Sequence, residues 1–396
     1  MHPVAITACT LVNGLGAGRA ATFEALRDRR SGLTHCEFED VVLDTWIGRV
    51  AALESRPLPA ALAAYECRNN RLALWSLQQD DFEAAAAGAR QRYGPARIGV
   101  FAGTSTSGIL QTELAYRRRD PATGALPADF NYAKTHNSYS LADFVRTYLR
   151  LQGPATAVSS ACSSSAKVFG NASRMLALGV IDAAVVCGVD SLCLTTLYGF
   201  NALGLVSREP CRPYDRDRAG ISIGEGGGFA LLERPVAAPS AAIHLTGVGE
   251  SSDAHHMSSP HPEGLGARLA MQAALEAAGL RPEDIDYINA HGTATKANDA
   301  SEDRAITDVF GDTVPCSSTK GYTGHLLGAA GITEAIVSML AMEHGLLPGS
   351  LHTRHVDPAL KCGYLIDNRL TSATRVLSNS FGFGGSNCSL IFECTA

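Results

Sequence analysis

Thr156–Leu176, TAVSSACSSSAKVFGNASRML, reads as a short strand, a tight turn of small residues, then an amphipathic helix that opens beside Cys162. A thiol at a helix N-terminus sits where backbone N–H groups and the helix dipole favour the thiolate, so the reading expects an acidified, nucleophilic cysteine. Its Ser and Ala neighbours leave room for a substrate carbonyl. The alternative is a buried structural cysteine, which suits most of the eleven in the chain. A second segment, Gly324–Gly345, GHLLGAAGITEAIVSMLAMEHG, repeats the pattern faintly when MLAL is laid on MLAM, which sets Cys162 against His325 and hints at a fold of two similar halves.

Working outward, β-rich runs alternate with Ala- and Leu-rich runs of helical length, an α/β pattern. Strands are expected at VAITACTLV near the start, then RIGVFAGTS, DAAVVCGVDSL, GFALLE, AAIHLTGVGESS, IDYINAHGT, VPCSSTK and VLSNSFGFGGSNCSLIFE, with helices such as AATFEALRDRR and GARLAMQAALEAAGL between them. The Pro-rich run ERPVAAPS, Glu233–Ser240, is the natural seam, dividing the chain at 1–239 and 240–396.

At 396 residues the chain can bury a large core without disulfides. Its net charge of −6, from 39 acidic and 33 basic residues, supplies no global field for nucleic acid or anionic lipid. The eleven cysteines contain no C-x-x-C pair, which speaks against a zinc cluster or a disulfide framework and for a reducing cytoplasm. The N-terminus lacks a basic leader, and no run reaches the roughly twenty apolar residues of a membrane span, so neither export nor insertion is expected. The H-x-x-H of His352 and His355 and the cluster His255, His256 and His261 lack partners at zinc-like spacing, and no metal is expected. The glycine runs Gly14–Gly18 and Gly224–Gly228 lack dinucleotide-binding spacing, so no nucleotide cofactor is implied.

Two further segments carry chemistry. YINAHGTATKANDASE centres on His291, and SSTKGYTGHLLGAAGITEA carries Lys320, His325 and Glu334. Both histidines are placed where strands give way to Gly- and Thr-rich turns, the position in which a rigid sheet presents a side chain while the turn exposes it. The C-terminal SNSFGFGGSN packs glycines around Phe381 and Phe383, a composition that bends sharply and comes close to a ligand.

With these in hand, six motifs in order, SSACSSSA, RPYDRDRAGISIGEGGGFALLE, SSDAHHMSSP, HGTAT, STKGYTGHLLGAAG and NSFGFGGSN, make the chain resemble the elongating β-ketoacyl-[acyl carrier protein] synthases of the thiolase superfamily along its whole length. The resemblance implies the thiolase fold, a five-layered αβαβα arrangement of two similar halves each containing a mixed sheet, usually dimeric. It implies decarboxylative condensation of a malonyl thioester with an acyl group on Cys162. The backbone N–H groups of Cys162 and Phe383 would form an oxyanion hole, and His291 and His325 would serve decarboxylation. Lys320 would tune that site with Glu334 supporting it. Thr293 and Thr295 would bond the phosphopantetheine arm, and Phe383 would gate the site with Gly382, Gly384 and Gly385 lending mobility. Thr106 stands where relatives limit the acyl pocket. Arg68, Arg71 and Arg208 fall near positions that meet the acidic carrier protein, with Arg117–Arg119 a further patch. No cofactor is implied beyond the carrier's arm, and the partner would be a second copy or a chain-length factor.

Some forms, STKGYTGH and HGTATKAND, are also similar to synthases of aryl-polyene and type II polyketide pathways, which leaves fatty-acid or polyene extension open. A degradative thiolase would use a second cysteine in C-x-G, where this chain reads GFGGSNCS, and an initiating Cys-His-Asn synthase would have asparagine in place of His325. A non-condensing chain-length factor usually lacks the nucleophile that Cys162 supplies.

Overall fold

The computed structural model describes residues 1–234 and 242–394. Ten principal strands and two central helices fix the position of the site. The N-terminal strands are β1 (Val4–Asn13), β2 (Ile98–Gly103), β3 (Ala155–Val158), β4 (Ala183–Asp190) and β5 (Gly226–Glu233). The C-terminal ones are β6 (Ile243–Ser252), β7 (Tyr287–Asn289), β8 (Pro315–Ser317), β9 (Arg375–Gly382) and β10 (Ser386–Cys394). In space they run β3-β2-β4-β5-β1 and β8-β7-β9-β10-β6. Both halves therefore share one order, third-second-fourth-fifth-first. In each, the second, third and fourth strands pair in parallel and the fifth runs antiparallel. The first strands of the two halves meet edge to edge, Val4–Ile6 against Ile243–Leu245.

Sequence dictates that these sheets be covered on both faces. In β4, Ala183, Val185, Cys187 and Val189 point into one core while Ala184 and Val186 point into another, because successive strand residues alternate faces and here all but the terminal Asp190 are apolar. The shared inner core is built around helices α4 (Ser164–Ala177) and α8 (Ala330–His344), with Phe169, Leu176, Ile332 and Met339 meeting residues of both sheets. The two helices approach so closely at Gly331 that a Cβ there would lie 2.6 Å from the backbone nitrogen of Ala166. Outside, α1 (Arg68–Leu77) and α3 (Tyr139–Tyr148) cover the first sheet. Helices α6 (Leu265–Ala278) and α7 (Lys296–Phe310) cover the second. Helices α2 (Ile109–Arg117) and α5 (Leu194–Ala202) lie beside the first half's loops, joined where Glu113 accepts from the N–H of Leu194. The result is the five-layered αβαβα thiolase arrangement.

Three expectations are corrected, while the seam lies mostly outside the described residues. The repeat is real in its elements but not in its register. Ala161–Ser163 and Leu327–Ala329 are matching one-turn 3₁₀ segments that lead into α4 and α8, with Ala161 and Leu327 at φ 52° and 53°. Cys162 therefore corresponds to Gly328, not to His325, because two Ala-rich helices align by composition in several registers. The strand expected through VPCSSTK ends at Ser317, and a single helical turn, Lys320–Thr323, intervenes before His325. The seam expected at ERPVAAPS begins with Glu233 on β5, and its residues 235–240 lie outside the described part.

Arg68 is the third. Rather than facing a carrier protein it is 8% exposed at the start of α1, with Nε on Glu225 Oε2 at 2.7 Å, one terminal nitrogen on Glu225 Oε1 at 2.5 Å and the other on Glu54. Glu225 is wholly buried and also accepts the N–H groups of Val50 and Leu192. Arg68→Ala is expected to destabilise the fold by about 3–5 kcal/mol, because it leaves a buried carboxylate without its counter-charge. Denaturant unfolding measures this, and a loss under about 1 kcal/mol would show the pair to be dispensable.

Candidate active site

Strand β3 ends at Val158 and the chain turns through Ser159–Ser163 into α4. The serines shape this elbow: the Ser164 hydroxyl accepts the Ser160 N–H at 2.9 Å and donates to the Ala161 carbonyl at 2.6 Å. Gly103 packs beneath, since a Cβ there would lie 2.5 Å from Ser165. The turn presents Cys162, 5% exposed, at the floor of a cavity of about 350 Å³. His291, His325, Thr293, Thr295 and Phe383 line the same cavity.

Cys162 Sγ lies 3.0 Å from His325 Nε2. The His291 and His325 rings sit 5.3 Å apart at 82°, and one donor atom from each of the three residues falls within 4.8 Å of the others. Hydrogen bonds assign the imidazole tautomers. The Leu327 N–H donates to His325 Nδ1 at 3.3 Å, and Lys320 Nζ donates to His291 Nδ1 at 3.3 Å. With Nδ1 an acceptor in both, each neutral ring carries its proton on Nε2, as a donor. Burial, reinforced by Lys320, holds both histidines well below their ordinary range, with the His325 ring further lowering His291, so both stay neutral.

Lys320, buried with Glu334, donates to the Glu334 carboxylate and to the His291 carbonyl. Burial pushes the Glu334 carboxyl up to about 7 against the pull of Lys320. Thr293 and Thr295 share a hydroxyl hydrogen bond of 2.9 Å, and Thr295 also caps α7 through the Asn298 N–H. The backbone N–H of Phe383 faces the Cys162 sulfur closely enough to favour its thiolate, and its ring rests 5.5 Å from Phe200. Behind it, Gly384 and Gly385 adopt φ 79° and 72°, and a Cβ at Gly382 would lie 2.7 Å from the Ser160 carbonyl.

The acidified thiol expected of the elbow is corrected. Burial pushes Cys162 up to about 12, and Lys320 and the Phe383 N–H recover only part of that. Desolvation of the charged form outweighs the helix terminus in a site this closed. The resting group is a thiol, and any thiolate forms against the donors already in place.

Other predicted residues stand elsewhere. Thr106 is buried and its hydroxyl donates to Asp190 at 3.0 Å, so it does not line the described cavity. Arg71 is half-buried on Glu66 and the Glu54 carbonyl, whereas Arg208 is exposed. Arg117 and Arg118 are exposed but paired with Asp40 and Asp129. Two buried carboxylates escaped the sequence reading. Glu302 on α7 accepts the N–H groups of His291 and Gly292, each at 2.7 Å, and burial pushes it up to about 7. Asp190 closes β4. For Asp190 the one clue was an acidic residue closing the apolar run of β4, whereas Glu302, between Ser301 and Asp303, offered none.

Two family models match the chain, "Beta-ketoacyl synthase, N-terminal domain" over residues 71–238 and "Beta-ketoacyl synthase, C-terminal domain" over residues 242–354. The mitochondrial 3-oxoacyl-[acyl-carrier-protein] synthase of Arabidopsis thaliana is 44% identical over 61% of this chain, a match spanning 56% of that relative's length. 3-Oxoacyl-[acyl-carrier-protein] synthase 1 of Escherichia coli K12 is 32% identical over 99% of both chains. Among solved structures, the ketosynthase ApeO in complex with its chain length factor ApeC, from Xenorhabdus doucetiae, superposes with a TM-score of 0.90 at 37% identity, over 100% of this chain and 98% of that one. With a cysteine and two donor histidines converging on one cavity, this chain belongs to the β-ketoacyl synthase family of condensing acyltransferases.

Proposed function

We propose that the protein extends acyl groups delivered on a carrier protein by decarboxylative condensation with a malonyl thioester. The observation that carries this reading is the convergence of Cys162 Sγ with two neutral imidazoles that carry their protons on Nε2. Cys162 attacks the incoming thioester, and its proton leaves with the pantetheine thiol. Malonyl carrier protein then enters, and loss of carbon dioxide leaves an enolate whose oxygen is met by His291 and His325. The enolate carbon attacks the acyl-cysteine, the tetrahedral oxygen is held by the N–H groups of Cys162 and Phe383, and collapse releases the thiolate and the β-ketoacyl product. Neutral donors suit this sequence, because a cationic imidazole would hold the malonyl carboxylate instead of letting it depart. The reaction draws its driving force from carbon dioxide release and needs no bound cofactor.

In this reading residues 1–239 supply the nucleophile and residues 240–396 the histidines and the glycine-flanked gate at Phe383. Thr293 and Thr295 line the passage for the pantetheine arm. The substrates are acyl or polyene chains of fatty-acid or polyketide type, handled in a reducing cytoplasm in keeping with eleven free cysteines. The partner is a second copy or a chain length factor, as in the ApeO complex.

Incubation with acyl carrier protein tests the proposal through the mass of the Cys162 peptide. Acylation there supports it, and an unmodified Cys162 overturns it. At the docking surface, Arg208→Glu is expected to raise KM for carrier protein and flatten its salt dependence with kcat unchanged, and identical steady-state kinetics would remove Arg208 from that surface.

A further inference from the structure

Asp190 ends β4 fully buried, yet the chemistry above gives it no part. Its carboxylate is surrounded by donors from two loops that belong to different halves of the fold. From the turn after β2, Oδ1 receives the Thr104 hydroxyl at 2.6 Å, the Ser105 N–H at 2.9 Å, the Thr106 N–H at 3.0 Å and the Thr106 hydroxyl at 3.0 Å. Oδ2 receives the Ser105 N–H at 3.0 Å and the Ser105 hydroxyl. From the loop that follows His325, Oδ2 receives the Gly328 N–H at 2.6 Å.

That last contact reaches the catalytic pair in two steps along the backbone. Leu327 is held at φ 53°, a conformation that its β-carbon resists, and its N–H donates to His325 Nδ1. Gly328, the next residue, donates its one N–H chiefly to Asp190 and more weakly to the Ser105 hydroxyl at 3.3 Å. Nothing larger than glycine fits there, since a Cβ would lie 2.7 Å from both Asp190 Oδ2 and the Ser105 nitrogen. We propose that Asp190 is a positioning residue for the Cys162–His325 pair: it clamps the loop of Leu327 and Gly328 against the 104–106 turn, and thereby keeps His325 Nδ1 an acceptor and Nε2–H aimed at the sulfur.

The requirement is for a carboxylate and not merely for a polar group. Backbone N–H donors meet both oxygens, so an asparagine must turn its NH₂ toward one of them. Turned one way it abandons Gly328, and turned the other it abandons Thr106. The same clamp fixes Thr106, so it ties the 104–106 turn to the setting of the catalytic histidine. This second consequence rests on the condensing reading, whereas the effect on the sulfur does not.

Site-resolved alkylation by iodoacetamide, followed by mass spectrometry of the Cys162 peptide in the full chain across pH, tests the clamp. Asp190→Asn is expected to slow Cys162 alkylation at neutral pH by about 10-fold or more, the loss of the oriented His325 donor outweighing the removal of a carboxylate whose charge by itself raises the thiol. Ser105→Ala, which loses the hydroxyl beside Gly328, is expected to slow it in the same direction. Thr104→Val, which removes a hydroxyl on the far side of the clamp, is expected to leave the profile in place. A wild-type profile in Asp190→Asn, or equal slowing in Ser105→Ala and Thr104→Val, would overturn the proposal, and the second comparison decides it even if Asp190→Asn does not fold. Failure of the condensing reading shows separately, as a wild-type enzyme that alkylates normally and forms no β-keto product.

Discussion

Cys162→Ala is expected to lose self-acylation and condensation by about 10⁴-fold or more while still releasing carbon dioxide from malonyl carrier protein. The split follows from geometry. Among the described residues only Cys162 presents a sulfur to the cavity, beside the Phe383 N–H. Decarboxylation instead depends on the two Nε2–H donors, and both rings are held from their Nδ1 sides by Leu327 and Lys320, not by the thiol. Intact mass after mixing with acyl carrier protein measures the first activity and carbon dioxide release the second. Acylation persisting on another of the eleven cysteines would displace Cys162 from its role.

His291→Ala and His325→Ala are each expected to lower decarboxylation by about 10²–10³-fold, the usual effect of removing one preorganised donor from a developing oxyanion. They differ in the first half-reaction. His325 Nε2 lies 3.0 Å from the sulfur, so His325→Ala also slows self-acylation, whereas His291→Ala leaves it close to wild type. The pH dependence has a definite sign. Both imidazoles titrate well below 6.5, so the donor form is fully present above that pH and is lost only as pH falls much lower. The imidazoles themselves therefore add no pH dependence upward from about pH 6.5, and a change near neutrality is expected only from Glu334 and Glu302, each pushed up to about 7. A rise or fall across neutrality that persists in Glu334→Gln and Glu302→Gln would show a charged imidazole at work, and parent rates in either alanine variant would remove that histidine from the step.

Much of this architecture was legible in the residues. Alternating apolar strands such as β4, buried on both faces, and the strand-turn-helix around Cys162 are local patterns, and the motifs around His291 and His325 lie in short continuous segments. What escaped is what depends on distance in the chain. Arg68 looks like a surface cation in sequence, and only the fold brings Glu225 beneath it. The thiol's affinity for its proton is set by how completely the cavity closes over it, which no helix-terminus argument contains. Asp190 gathers backbone N–H groups from loops remote in the chain and Glu302 from the turn just before its helix, and backbone donors leave little mark in sequence. The repeat misled by register alone, because the matching features of its two arms are a one-turn helix and a positive φ rather than a shared residue type.

The most direct measurement is mass spectrometry of the products formed from malonyl carrier protein and a panel of saturated, unsaturated and aryl-primed acyl carriers, comparing wild type with Cys162→Ala. Gain of a two-carbon β-keto unit that depends on Cys162 is the predicted result. Unextended acyl groups with every primer, in the presence of carbon dioxide release or hydrolysis alone, would contradict it.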